Sequence, residues 1–163
     1  EFYFLGGDSE LVNPNETAVN AQKLLNFSRE KKWTIVHVRH NYVPGGSIHK
    51  MVKPSDYEKI ISKDEVNCFK DTELLEYLSE KNIGTVIICG MQTHMCVEAC
   101  VRASYDLDYN AVLVQDACCT KDLTFKKHII LANDVHYSTL SSLKNYAKII
   151  DTDTFIKTEQ NVE

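Results

Sequence analysis

TVIICGMQTHMCVEACVRAS, Thr85 to Ser104, decides how the rest of the chain is read. Thr85–Cys89 is a short apolar run rich in β-branched residues and reads as a buried strand. Gly90 begins a turn, and a helix is expected to open near Met95. Cys96 then falls in the first turn of that helix, at the carboxyl end of the strand. Unpaired backbone N–H groups and the helix dipole favour negative charge at such a place. A thiol held there has its thiolate stabilised and its pKa lowered, which makes it a nucleophile. The same position also suits a small buried hydrophobe at a strand–helix junction. Position alone does not choose between the two.

Working outward, the flanking segments alternate. Asp108–Asn110 turns into Ala111–Gln115 (AVLVQ), a second buried strand that ends at Asp116. Upstream, a helix beginning at Asp71 or Thr72 runs to about Lys81 with Leu74, Leu75 and Leu78 facing inward, and Asn82-Ile83-Gly84 ends it. Ile60–Ser62 reads as a short strand closing at Lys63. Asn41–Tyr57, with Pro44, Gly45, Gly46 and Pro54, is a long loop of the kind that often carries function. Trp33–Arg39 (WTIVHVR) reads as a strand. Asn15 is expected to cap a helix to about Lys31, with Ala18, Ala21, Leu24, Leu25 and Phe27 on its apolar face. Glu1–Pro14 reads as a loop. Beyond Asp116, Lys126–Tyr146 reads as one long helix with a break near Asn133-Asp134, and Ala147–Ile150 as a last short strand.

This order predicts an α/β fold: a three-layer, doubly wound, mostly parallel sheet of Rossmann type with helices on both faces, in one domain spanning 1–163. Its first strand would precede Glu1. Ligands in such sheets bind at the carboxyl ends of the strands. Arg39, His40, Lys63, Gly90–Cys96 and Asp116 should therefore gather along one rim.

Composition narrows the function classes. The 163 residues suffice for a substantial core without disulfide staples. A net charge of −5 with no basic run argues against a nucleic-acid partner. No apolar run approaches membrane-spanning length, and no basic-then-apolar leader is present, so neither a membrane partner nor export is expected. The six cysteines lie mostly in apolar stretches and form no C-x-x-C pair, which fits reduced thiols in the cytoplasm rather than a disulfide framework or a zinc site.

Several residues can carry chemistry. Lys63 follows a short strand; it is either a solvated charge or, on the same rim as Cys96, a cation that lowers the thiol pKa and holds a carboxylate. His37 and His40, three apart in a strand, face opposite sides and do not readily share a metal. His94, two residues before Cys96, can line a pocket but is awkwardly close in sequence to act as its base. His128 and His136, eight apart on the expected long helix, read as structural. Asp116 more often caps the following turn than does chemistry. Cys100, one helical turn beyond Cys96, should point into the core.

Three segments carry a resemblance. Gly90 to Thr120 (GMQTHMCVEACVRASYDLDYNAVLVQDACCT) is similar to the strand–nucleophile–helix–strand block of the isochorismatase-like cysteine hydrolase superfamily. Lys59 to Leu78 (KIISKDEVNCFKDTELLEYL) resembles the segment in which a lysine precedes an N-x-F-x-x-T-x-L pattern. Val36 to His40 (VHVRH) is similar to the second family strand. The resemblance implies a triad of Asp, Lys and Cys, in which Cys96 is the nucleophile and Lys63 the lysine. The aspartate belongs to a D-x-Q-x-[DE]-F pattern; Glu1-Phe2 resembles its last two residues, which places the aspartate just before Glu1. A cis peptide at Met91–Gln92 is also implied, with backbone donors around Gln92 and Cys96 receiving an oxyanion. His94, Phe69 and His40 would line the substrate pocket.

The reaction implied is cysteine-dependent hydrolysis of an amide or carbamoyl-type C–N bond of a small molecule through a thioester. Isochorismatase-type members act on a vinyl ether without a cysteine nucleophile, so Cys96 favours C–N cleavage. The zinc-dependent nicotinamidase pattern D-x-H is absent from His37-Val38-Arg39-His40, so neither a metal nor a cofactor is expected. A homo-oligomer, dimer or tetramer, is expected from the same resemblance. Two other readings compete: a catalytically impaired relative acting as a binding or assembly protein, and a redox role for Cys96 with Cys100.

Overall fold

The computed structural model describes residues 3–4, 6, 9–43 and 45–161. Glu1 and Phe2, and with them the end of the expected aspartate pattern, lie outside the described residues, as does any strand preceding them.

The chain alternates as expected. Helix α1 (Pro14–Glu30) leads to β1 (Val36–His40), β2 (Lys59–Lys63), α2 (Leu74–Glu80) and β3 (Thr85–Met91). A π-helical turn at Thr93–Val97 then feeds α3 (Glu98–Asp106), followed by β4 (Asn110–Cys119). Strands β5 (Leu123–Phe125) and β6 (His128–Ile130), helix α4 (Ala132–Leu143), strand β7 (Lys148–Ile150) and helix α5 (Thr152–Gln160) complete it. Strands β3, β4 and β7 form one parallel sheet in the order β3-β4-β7, and β1 pairs β2 in a second parallel sheet.

Helices cover both faces. On one, Leu24 and Phe27 of α1 and Phe155 of α5 pack on Val114 and Ala117 of β4. On the other, Val101 of α3 and Leu140 and Leu143 of α4 pack on Leu113. A third cluster joins Ile61 of β2 to Leu74 and Leu78 of α2, with Val36 and Val86 against it. The two parallel sheets thus share a core. Among the described residues no hydrogen-bond ladder joins β1 to β3, and each keeps one unpaired edge. The consequence shows in burial: no residue of β1 is fully buried, and Val38 is 38% exposed. Interior strands of a doubly covered parallel sheet are normally buried on both sides.

The departures from expectation have local causes. Helix α1 begins at Pro14, with Asn13 rather than Asn15 at the position before it and no side-chain capping bond, because Pro14 at the first helical position has no N–H to leave unpaired and a φ already set for a helix. The long helix from Lys126 to Tyr146 does not form. Leu123–Phe125 and His128–Ile130 pair antiparallel around Lys126 (φ 57°), and α4 starts only at Ala132, whose N–H donates to Asp122 Oδ1 at 2.7 Å. Aromatic and β-branched residues on either side of a two-residue turn favour the hairpin. His128 and His136 therefore sit on different elements. Helix α5, with no counterpart among the expected elements, is capped by Asp151, whose Oδ1 accepts from Thr154 N at 2.9 Å.

One buried ion cluster ties α1 to the β1–β2 sheet. Glu58 accepts from Arg29 Nε at 2.7 Å, from Arg29 NH2 at 2.9 Å and from Ser55 N at 2.8 Å, and lies 2.9 Å from His37 Nε2. The Arg29 bond is the main cause that holds the Glu58 carboxyl down at about 2, against the burial that opposes it. A depressed carboxyl stabilises the fold above its unfolded value near 4.5 and loses that contribution as pH falls toward about 2. Removing the carboxylate takes the shared partner from Arg29, His37 and the Ser55 N–H, so Glu58→Ala should cost about 3 kcal/mol of stability at pH 7. Thermal melts should show the gap between wild type and variant closing between pH 5 and pH 2; a gap independent of pH would contradict the assignment.

Candidate active site

The parallel pairing of β1 and β2 sets His40 opposite Lys63 at the carboxyl ends of both strands. Strand β3 ends on the same side at Met91, and the Met91–Gln92 peptide is cis. The register between β3 and β4 shifts here: Ile88 faces Leu113, but Gly90 faces Cys118. Gly90 has φ +134°, a backbone conformation that side-chain-bearing residues rarely adopt, and so permits the strand to break into the π-helical turn that carries Cys96. The π-turn also corrects the expectation of a helix opening near Met95; regular helix begins at Glu98.

At the centre, Lys63 Nζ lies 3.2 Å from Cys96 Sγ. Lys63 is only 5% exposed. Its ammonium is solvated by protein: it donates to the carbonyls of Glu65 at 2.6 Å and Val66 at 3.2 Å. Among the described residues no carboxylate pairs with it. Two carbonyls and one sulfur thus converge on the buried Lys63 nitrogen.

The other thiols are different. Burial pushes Cys89 and Cys119 up to about 11 and raises Cys118 well above its ordinary value. Those three are held protonated. Cys100 points inward as expected and meets Cys68, not Cys96.

The turn is pinned from two sides. Thr93, fully buried, bonds through Oγ1 with His136 Nδ1 at 2.9 Å, and His94 Nδ1 bonds with Thr120 Oγ1 at 2.6 Å. Burial lowers the pKa of both histidines, which keeps the rings neutral. Gln92 is buried, and its Oε1 has no hydrogen-bond partner among the described residues. Tyr3 hydrogen-bonds with the Gln92 side chain, and burial raises its pKa.

Of the residues expected to line a pocket, His40 sits opposite Lys63 in the strand register. It stacks on Tyr42 with ring centroids 4.5 Å apart, and burial and the Lys63 charge lower its pKa. His94 turns toward Thr120. Phe69 stacks on Tyr109 at 6.1 Å and faces an open groove beside α2. Asp116 lies inside β4, not at its end, and holds the start of α5 instead of the following turn: Oδ1 accepts from the N–H and hydroxyl of Thr152 at 2.8 and 2.7 Å. Sequence reasoning passed over Thr93, Thr120, Tyr3 and the contact His136 makes. Only Thr120, just past a strand end, had a signal that could have been used. Among the described residues no group of three or more metal-ligating side chains converges, and no helix is long and apolar enough to cross a membrane.

Comparison with known proteins gives this geometry a context. The family model described as Isochorismatase domain matches residues 3–152. The chain is 34% identical to the isochorismatase family protein YddQ of Bacillus subtilis, over 95% of this chain and 93% of that one. It superposes on the crystal structure of an isochorismatase from Pseudomonas putida KT2440 with a TM-score of 0.89, at 32% identity, covering 93% of this chain and 84% of that one. A more distant relative is the ureidoacrylate amidohydrolase RutB of Acinetobacter baylyi, 24% identical, over 68% of this chain and 42% of that one.

If the Lys63 cation acts on Cys96, iodoacetamide at pH 7 should label Cys96 ahead of Cys89, Cys118 and Cys119. Lys63→Met should slow that labelling about tenfold, a change of about 1.4 kcal/mol in barrier. Equal rates in variant and wild type would mean that the contact has no chemical consequence.

Proposed function

The chain belongs to the isochorismatase family, and on that footing we propose that it hydrolyses an amide or carbamoyl-type C–N bond of a small molecule through a thioester on Cys96. The observation that carries the reading is the buried Lys63 Nζ set 3.2 Å from Cys96 Sγ. A thiolate stabilised in this way attacks the substrate carbonyl carbon and gives a tetrahedral oxyanion. Backbone N–H groups of the turn from Gln92 to Cys96 receive the oxyanion, an effect worth about 3 kcal/mol per donor. The C–N bond breaks, the amine leaves with a proton, and water then cleaves the thioester to a carboxylic acid and restores the thiol. The unpartnered Gln92 Oε1 is an acceptor suited to a substrate N–H. A C–N hydrolase name within reach of the comparison supports the bond type.

The proton transfers need a base. We assign that role to a carboxylate delivered beside Lys63 by a further parallel strand seated between the unpaired edges of β1 and β3. The alternative reading is a family member that binds or assembles without turnover.

A panel of small primary amides and carbamoyl compounds assayed for ammonia separates these readings. Cys96-dependent hydrolysis predicts ammonia release that falls to background in Cys96→Ala. A vinyl-ether hydrolase of isochorismatase type would release no ammonia from the panel while keeping a reactive Cys96. Silence across the panel, with Cys96 no more reactive than a free thiol, would favour the binding protein.

A second copy of the chain is the partner we propose for the β5–β6 hairpin. Phe125, Ile129 and Leu131 are 66%, 69% and 57% exposed, with Tyr137 on α4 at 63%. Isolated two-stranded hairpins are marginal in water and gain from a covering surface. Lys126 and Lys127 at the turn complement a second copy carrying a net charge of −5. The wild type should scatter light as a dimer or larger, and Phe125→Asp should lower the mass; a wild type at 18.6 kDa would refute the interface. The six free thiols fit a reducing, cytoplasmic setting.

A further inference from the structure

Cys68 and Cys100 come from elements far apart in sequence, yet their sulfurs lie 2.8 Å apart in hydrogen-bond contact. Cys68 sits in the irregular segment between β2 and α2 and is 3% exposed; Cys100 projects from α3 into the core that joins the two parallel sheets. Each is adjacent to the candidate centre without belonging to it. Cys68 lies two residues past Val66, whose carbonyl accepts from Lys63 Nζ, and Cys100 lies one helical turn beyond Cys96. The pair therefore bridges the segment that solvates Lys63 and the helix that follows the nucleophile.

We propose that Cys68 and Cys100 are a redox-modification site, a thiol pair that a small hydroperoxide converts to an intramolecular disulfide clasping the Lys63 segment to α3. The contact with Cys100 lowers the pKa of Cys68, while the same contact together with burial raises that of Cys100. The Cys68 sulfur attacks the terminal peroxide oxygen, the O–O bond breaks, and an alcohol (or water) leaves with a sulfenic acid on Cys68. The Cys100 sulfur then attacks that sulfenic sulfur; the S–O bond breaks, and hydroxide leaves with the thiol proton as water. The two thiols give up two electrons, and the hydroperoxide takes them.

Burial holds Cys89, Cys118 and Cys119 protonated. Cys96 competes for oxidant, so Cys96→Ser is the background for the test, alongside wild type. Trypsin releases Cys68 in the peptide 64–70 (DEVNCFK) and Cys100 in the peptide 82–102. After treatment with hydrogen peroxide and alkylation of the remaining thiols, non-reducing digestion of Cys96→Ser should yield these two peptides joined. Dithiothreitol should separate them, and Cys100→Ala in the same background should abolish the link.

Recovery of peptide 64–70 fully alkylated, from protein whose circular dichroism shows it folded, would overturn the proposal. Persistence of the link in the Cys100→Ala protein would also overturn it. The outcome is independent of ammonia release, so failure here and failure of the hydrolase reading are separate results.

Discussion

A buried ammonium needs partners, and Lys63 constrains everything around it for that reason. Transferring such a charge out of water costs several kcal/mol even after relaxation. The fold offsets that cost with two backbone carbonyls, Glu65 and Val66, and with the sulfur of Cys96. Each partner fixes a piece of architecture. The carbonyls require the chain to curl back immediately after β2, and the sulfur requires the turn after β3 to reach the same point. Parallel pairing of β1 with β2 and of β3 with β4 brings those strand ends to one side of the molecule.

The turn after β3 is where the backbone departs most from regular structure. A register shift against β4, a glycine at φ +134°, a cis peptide and a π-helical turn follow one another within a few residues. Thr93 with His136, and His94 with Thr120, hold that geometry from α4 and from the end of β4. A site supported from several elements in this way keeps its reacting groups in place through packing and hydrogen bonds rather than through its own loop. The unpaired edges of β1 and β3 lie within the same fold, and the hydrolase reading uses them as the seat for its base.

Much of this was legible in the sequence where the pattern is local. The apolar run at Thr85 followed by glycine and an amphipathic stretch gives the strand–turn–helix unit, and alternation gives the layered α/β fold. The resemblance then singled out Cys96 and Lys63, which the structure brings into contact. Legibility ended where tertiary partners decide. Leu123 to Ile130 has a composition that tolerates helix or hairpin, and Asp122 capping Ala132 settles where α4 starts. The resemblance offers Phe69 as a pocket residue, and no pattern in the sequence announces that its ring stacks on Tyr109. The Cys68–Cys100 contact joins residues 32 apart with no spacing rule to announce it.

The central claim is that catalysis passes through a covalent bond to Cys96. Acid-quenching a turning-over reaction and measuring the mass of peptide 82–102 tests it directly. The account predicts an acyl adduct on Cys96 that hydroxylamine removes, formed in wild type and absent from Cys96→Ala. Product formed at an undiminished rate with no adduct, or by the alanine variant, would contradict it.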